Sequence, residues 1–400
     1  MLRKRILFFL VVFAAAIKAL AAEDTAAFKR SAHTNHSHLR LSLITGGPGL
    51  DIFETFGHSC IRVVDSDSTG WNSDLIYNYG FYDEFTSSYL SQWLNGRVRS
   101  FLETTTFDQL KFQFDDEKRK LTEQELLLND EQKELVVGFL KKNRGSVNRY
   151  YEYDTFYDNC TTRLRDMFTT LFGAAFVPGN ALPPDSHIKF RDFSSNMYCP
   201  LQHKYWFGIV LNLFYASRAD RVMSNKDAMF NPDYFARIMA GATLDGKKMC
   251  ADPVVLYPDR TVWTTTLDEP MVVSILIALI TIGTFLFVEK PVIAKLISIV
   301  LMLATGLLGC YMLNLWLRDC EPAWKENYNI LWALPTNVIV PFFSKRIKRV
   351  YAVVALGLLG VAFLVHIFRI QEFPLMEVGF LWLALIWIYA TMYRRSVNKA

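Results

Sequence analysis

Cys160 sits where a thiol gains reactivity. It lies in Tyr157-Asp158-Asn159-Cys160-Thr161-Thr162-Arg163, where Asp158 or Asn159 can cap a helix. Leu164, Phe168 and Leu171 give that helix one apolar face, and Gly173 stops it. The unpaired N–H groups and the dipole of a helix start favour a thiolate. The same amides can stabilise a tetrahedral oxyanion. A nucleophile of this kind needs a base, and His58 in Phe56-Gly57-His58-Ser59-Cys60-Ile61-Arg62-Val63 is the partner by position. It opens a strand after Gly57, a residue that lets another backbone or a substrate approach closely. The competing reading makes both residues structural, since free cysteines are often buried small hydrophobes. Cys60 is an internal rival that shares a strand face with His58 but lacks a helix start to activate it.

Other chemistries fare worse. There is no Gly-x-Ser-x-Gly elbow, and Asp115 with Asp116 lies on a charged surface run. His33, His36 and His38 have ligand-like spacing but sit in a polar linker without an acidic or cysteine companion, so no metal is expected. Gly46-Gly47-Pro48-Gly49 lacks the Lys-Ser/Thr ending of a phosphate cradle and the spacing of a dinucleotide fingerprint. No cofactor is called for.

The elements that must position Cys160 and His58 are short strands at 40–45, 59–64, 75–81 and 96–103, separated by Gly, Pro and Asp clusters. A helix over 130–142, capped by Asn129, precedes the helix that starts at Cys160. Strands followed by helices make the class α+β. Residues 200–268 carry weaker signals, a helix in 203–217 and then loops. Cys199 and Cys250 flank this stretch and could pair in an oxidising compartment.

The chain divides in two. Residues 1–21 read as a signal peptide: Arg3, Lys4 and Arg5, then an apolar run from Ile6 to Ile17, then Ala19-Leu20-Ala21. An exported domain follows at 22–268, its core at about 40–200, and a membrane domain at 269–400. The membrane domain holds apolar spans at 270–288, 292–317, 350–368 and 373–393, with a weaker segment at 329–343 that carries Pro335 and Pro341. Lys345, Arg346, Lys348 and Arg349 form the densest basic cluster, and Arg394, Arg395 and Lys399 close the chain. The positive-inside rule puts both clusters in the cytoplasm, which favours a crossing by the weak segment and about five helices over the rival reading of four spans with a re-entrant 329–343. The net charge is only +4, from 43 basic and 39 acidic side chains, with no basic stripe interleaved with aromatics. Nucleic acid is therefore not an expected partner. This topology puts His366, Glu377, Trp324, Asn327, Asn329, Trp332 and Asn337 near the outer surface. Intramembrane ionisable groups face a cavity or a partner, which suggests a polar mouth where His366 pairs with Glu377 and a lipid head group enters. Interfacial snorkelling is the plainer alternative.

Together, Ile44-Thr45-Gly46-Gly47-Pro48-Gly49, Phe56-Gly57-His58-Ser59, Tyr77-Asn78-Tyr79-Gly80 and Tyr157-Asp158-Asn159-Cys160-Thr161-Thr162-Arg163 with Asp166 resemble the Lnb family of bacterial membrane proteins. The resemblance covers roughly 40–400 and is loosest over 200–268. It implies a circularly permuted papain-like fold, similar to NlpC-type and lecithin:retinol acyltransferase-like enzymes, followed by an all-α membrane domain. It carries over Cys160 as nucleophile, His58 as base and Asn78 as the group orienting the imidazole, with Tyr77 or Tyr79 as rivals. Tyr79, Asn159, Arg163, His366 and Glu377 are expected to contact substrate. The implied activity is lipoprotein N-acyltransfer at the inner membrane, from a phospholipid donor through a Cys thioester to a lipoprotein acceptor. The runner-up is a membrane-anchored cysteine hydrolase of cell-envelope peptide or amide bonds. A non-enzymatic adaptor with a structural His and Cys is the third possibility.

Overall fold

The computed structural model describes residues 38–82, 87–145, 147–264, 267–289, 291–318, 320 and 322–397. The expected signal peptide, His33 and His36 lie outside the described residues.

Four strands run in sequence as an antiparallel meander: β1 (Leu39–Gly46), β2 (His58–Asp65), β3 (Asp74–Tyr82) and β4 (Val98–Thr106). With β5 (Leu121–Glu125), β6 (Tyr150–Tyr153) and β10 (Val254–Tyr257) they form a seven-stranded sheet in the order β10-β5-β1-β2-β3-β4-β6. Three two-residue strands, β7 (Phe176–Val177), β8 (Thr243–Leu244) and β9 (Lys247–Lys248), make a separate small sheet. Period-two alternation sorts the large sheet's side chains between two cores. Leu41, Leu43, Ile61 and Val63 pack under α3 (Asp130–Arg144) and α4 (Cys160–Phe172), whereas Ile44, Cys60 and Ile76 pack against α2 (Phe107–Asp116). Helix α1 (Ser87–Leu94) bridges β3 and β4. The expected strands and both helices are present within a few residues of their bounds. β5, β6, β10 and α2 are additions, because their short or charged segments carry little periodicity.

Residues 200–268 are more ordered than their sequence signals suggested. Helices α5 (Tyr205–Phe214) and α6 (Pro232–Ala240) belong to this stretch. The six cysteines are all free thiols; Cys199 Sγ donates to Ser194 O at 3.3 Å, and Cys250 is buried apart from it beside Leu126. The expected disulfide is therefore absent.

Four long apolar helices form the second domain: α7 (Glu269–Phe287), α8 (Pro291–Leu317), α9 (Lys345–Ile367) and α10 (Leu375–Val397). The 329–343 segment departs from the expected fifth helix. It forms three 3-10 turns at Tyr328–Leu331, Pro335–Val338 and Val340–Phe342. Pro335 and Pro341 remove two donors from any α ladder. The segment lies flush on α8 because Gly306 and Gly309 admit its backbone; a Cβ on Gly309 would fall 1.8 Å from Ala333 O. Asn337 secures it, accepting from Tyr351 (2.8 Å) and Tyr389 (2.9 Å) and donating to Thr305 (3.1 Å).

The two domains are stapled together by polar groups. Asn327 and Asn329 donate to the terminal carbonyl of Leu213 on α5, at 2.6 and 3.1 Å. Arg318, just past α8, donates to Asn95 at 2.9 Å. Arg191 and Asp220, both almost fully buried, form a bidentate ion pair at 2.7 and 2.9 Å. Asp220 also accepts from the Glu372 N–H in the α9–α10 turn at 3.0 Å, and Glu372 pairs with Lys189. Removing one member of such a buried pair strands the other charge, at a cost of about 3–5 kcal/mol. Arg191→Ala should therefore unfold well below the wild-type temperature in a thermal scan of the purified protein, whereas Lys248→Ala, which breaks only an exposed pair with Asp252, should shift it little.

Candidate active site

Asn159 makes the site possible. Its side chain caps α4, accepting from the N–H groups of Thr161 and Thr162 at 2.9 Å each. Its amide donates to Thr155 O (2.8 Å) and Phe230 O (3.0 Å), so both lone pairs and both protons are used inside the protein. This corrects the expectation that Asn159 binds substrate: it fixes the helix start that presents Cys160.

α4 packs on β2 and β3, which brings Cys160 against His58 at the start of β2. Cys160 and His58 face each other, and hydrogen-bonding groups surround the sulfur, the Thr161 hydroxyl at 3.6 Å among them. Burial pushes the Cys160 thiol up, but the His58 imidazolium and these hydrogen bonds outweigh it and bring its pKa down to about 7. Burial works against a charged His58, yet the neighbouring Cys160 thiolate and the bond to Asn78 raise its pKa above the usual histidine value. The pair thus favours thiolate with imidazolium. His58 Nε2–H donates to Asn78 Oδ1 on β3, which leaves Nδ1 for the sulfur. Asn78 therefore stands where an imidazole-orienting group belongs. Cys60 is buried in the α2-side core, where burial first and Cys160 second hold its thiol well above the ordinary range.

Above the pair, β3 opens. Gly80 has φ of 101° at an irregularity in the β3–β4 register. A Cβ built there would lie 3.6 Å from Cys160 Cβ, 3.9 Å from His58 Cε1 and 4.0 Å from the Tyr151 hydroxyl. The glycine thus marks the point where three functional groups converge. Tyr151 is 7% exposed, and its hydroxyl has no hydrogen-bond partner among the described residues. Burial keeps its proton on, well above pH 7. The Arg163 guanidinium sits 4.1 Å from the centre of the Tyr151 ring and is held bidentate by Asp158. The Arg163 guanidinium, expected to contact substrate, is thus engaged by Asp158 and the Tyr151 ring. Tyr79 is buried and packs edge-on to Tyr151 at 6.2 Å, so it too is core rather than a substrate contact. Tyr151 was not singled out from the sequence; a tyrosine in a four-residue strand carries no spacing signal.

The loop before His58 is clamped from below. Arg119 donates twice to Gly47 O, at 2.9 and 3.0 Å, and pairs with Glu54 at 3.0 Å. Lys204 donates to Gly49 O, Asp51 O and the Thr55 hydroxyl at 2.6–2.9 Å. This clamp leaves a row of apolar side chains outside: Leu50, Ile52 and Phe53 on the loop, and Leu201 and Trp206 beside Lys204, are 43–73% exposed. The Phe53 and Tyr82 rings lie 5.5 Å apart, centre to centre, and Tyr82 is two residues beyond Gly80 on β3. Lys204 also lies 5.8 Å from Trp263, a few residues before α7. The rim therefore borders the first membrane helix.

The outer-surface residues are arranged differently from the expected mouth. Asn327, Asn329, Asn337 and Trp332 are buried in internal bonds. His366 Nδ1 accepts from the Phe373 N–H at 3.0 Å and its ring stacks on Phe373. Glu377 makes no ion pair among the described residues, so the expected His366–Glu377 pair does not form; Glu372 is the acid of this turn. His38 pairs with Asp65 and Asp67, both at 3.1 Å.

Fold and site together define a membrane protein that carries an exported domain with a cysteine–histidine centre. Two family models match it: the Lnb N-terminal periplasmic domain over residues 26–182 and the Lnb transmembrane domain over residues 263–399. The chain belongs to the Lnb family, with a periplasmic domain of mixed sheet and helix followed by a helical domain with four apolar spans. No curated protein and no solved structure gives a significant match.

The geometry predicts the pH dependence of the thiol. With its pKa near 7, Cys160 should be alkylated by iodoacetamide with a midpoint near pH 7, slower below and level above, rather than near the ~8.5 of a free cysteine. His58→Ala removes the cation but leaves the burial, so its midpoint should move above 8.5. A midpoint unchanged by His58→Ala would contradict the pairing.

Proposed function

We propose that the protein is a lipoprotein N-acyltransferase of the bacterial inner membrane, working through an acyl-enzyme at Cys160. The observation that carries the reading is the polarised Cys160–His58 pair in a domain joined to apolar membrane helices, with exposed apolar side chains on the loop that leads into His58. Family membership is consistent with a lipoprotein-processing enzyme. The order of His on one strand, Asn on the next and Cys at a helix start supports a permuted papain-like fold. A soluble peptidase has no use for an apolar rim bordering a bilayer, whereas a diacyl lipid needs one for its chains. The 329–343 segment is read as a fifth crossing, which brings Lys345–Arg349 to the cytoplasmic side.

The Cys160 thiolate attacks an ester carbonyl carbon of a phospholipid. The C–S bond forms, the ester C–O bond breaks, and the His58 imidazolium protonates the departing lysophospholipid oxygen. The α-amino group of a diacylglyceryl-cysteine lipoprotein then attacks the thioester. The C–N bond forms, the C–S bond breaks, and His58 takes the amine proton. Asn78 holds the imidazole in the required tautomer. The Tyr151 hydroxyl, protonated and unpartnered, donates to the oxyanion in both steps, and the cation stacked on its ring strengthens it as a donor.

Labelled phospholipid should yield no more than about one lysophospholipid per enzyme without an acceptor and many only when a diacylated lipoprotein is present, and Cys160→Ala should abolish both. Repeated turnover without acceptor would favour the hydrolase reading. Loss of one oxyanion donor is worth about 10²–10³ in rate, so Tyr151→Phe should lower kcat by about two orders of magnitude with little change in KM. Cys60→Ser should keep most activity.

A further inference from the structure

At the end of the helical domain remote from the catalytic centre, four cations converge without an acid to answer them. Lys295 on α8, Lys345 and Lys348 on α9 and Arg395 on α10 line one cavity of about 220 Å³, together with the hydroxyls of Ser298 and Thr391. Its floor is apolar around Met302. None of the four cations has an ion-pair partner among the described residues; Arg395 meets only the ring of Phe285, 5.3 Å away. Lys295 and Lys348 are close enough to repel each other. Lys295 lies about 33 Å along α8 from Leu317, at 1.5 Å per residue, and Arg318 beyond it bonds the exported domain. The cavity therefore opens at the opposite bilayer surface from Cys160.

Like charges brought together by three helices at a membrane surface need an anion, because their mutual repulsion grows as the local dielectric falls. A scattered positive-inside signal needs no cavity and no convergence. We propose that this cavity binds the phosphodiester of an anionic phospholipid from the inner leaflet. The four cations and two hydroxyls take the phosphate oxygens, and the acyl chains run down the apolar surface between α8 and α10. Basic pockets between membrane helices on the cytoplasmic side are a known form of such recognition. The lipid would clamp α8, α9 and α10 around the irregular 329–343 segment, whose Pro341 lines the same cavity. This site is independent of the acyltransfer reading.

The test uses the full-length protein in a neutral detergent, titrated with dioleoyl phosphatidylglycerol, dioleoyl phosphatidylcholine or inorganic phosphate. Bound lipid is read by native mass spectrometry and the melting temperature is followed in parallel. Phosphatidylglycerol should bind at least tenfold more tightly than phosphatidylcholine and raise the melting temperature, whereas phosphate should do neither at the same concentration. Lys295→Gln/Lys348→Gln should lose that preference. Arg346→Gln/Arg394→Gln, which removes equal charge outside the cavity, should keep it. Unchanged alkylation of Cys160 by iodoacetamide in both variants shows that the fold survives. If both lipids bind equally, or the control variant loses as much as the cavity variant, the cluster is a topology signal only and the proposal fails. If phosphate reproduces the effect, the lipid source is excluded.

Discussion

A thiolate and an imidazolium buried side by side form the interaction on which the rest of the structure depends. Either charge alone would be neutralised in that environment, because burial raises a thiol and lowers a histidine. They persist together because each is the other's counter-ion and the backbone supplies further hydrogen bonds. That requires α4 to start at one place, and the Asn159 cap fixes it. Because Asn159 also donates to Phe230 O, the 225–240 region buttresses the nucleophile and is not an appendage. Asn78 fixes the imidazole from β3, and the break at Gly80 leaves room for a carbonyl above the sulfur.

The same logic of paired polar groups joins the exported domain to the helical domain. Leu213 O at the end of α5 is met by Asn327 and Asn329, and the α9–α10 turn is held by Glu372 to Lys189 and Asp220. These bonds tie the exported domain to the helical domain at two turns on one surface. The clamp of Lys204 and Arg119 on the 47–55 loop leaves the apolar rim facing outwards at that level.

Local chemistry decided what could be read from the sequence. The meander and the Cys160 helix were legible because period-two apolar patterns and an Asn cap act within a few residues. His58 and Cys160 were legible as residue types with positional logic, and Asn78 only through the family resemblance, though only packing brings positions 58 and 160 together. Three kinds of feature were not legible. Asn159 and Arg163 looked like polar groups available to substrate, but their bonds to Phe230 and Asp158 depend on tertiary placement. Tyr151 sits in a strand too short to announce itself. The 329–343 segment had the apolar content of a helix, yet two prolines turned it into 3-10 geometry. The His366–Glu377 pairing failed because the short turn between their helices supplies its own acid, Glu372, which points to Lys189.

The central claim is that Cys160 carries an acyl chain taken from a phospholipid. The most direct measurement is intact-protein and peptide mass spectrometry of the enzyme incubated with phospholipid and no acceptor. The account predicts a mass increase of one acyl chain on the peptide containing Cys160, removed by neutral hydroxylamine and absent in Cys160→Ala. A stable adduct on another residue, or an unmodified Cys160 while lysophospholipid accumulates, would contradict it.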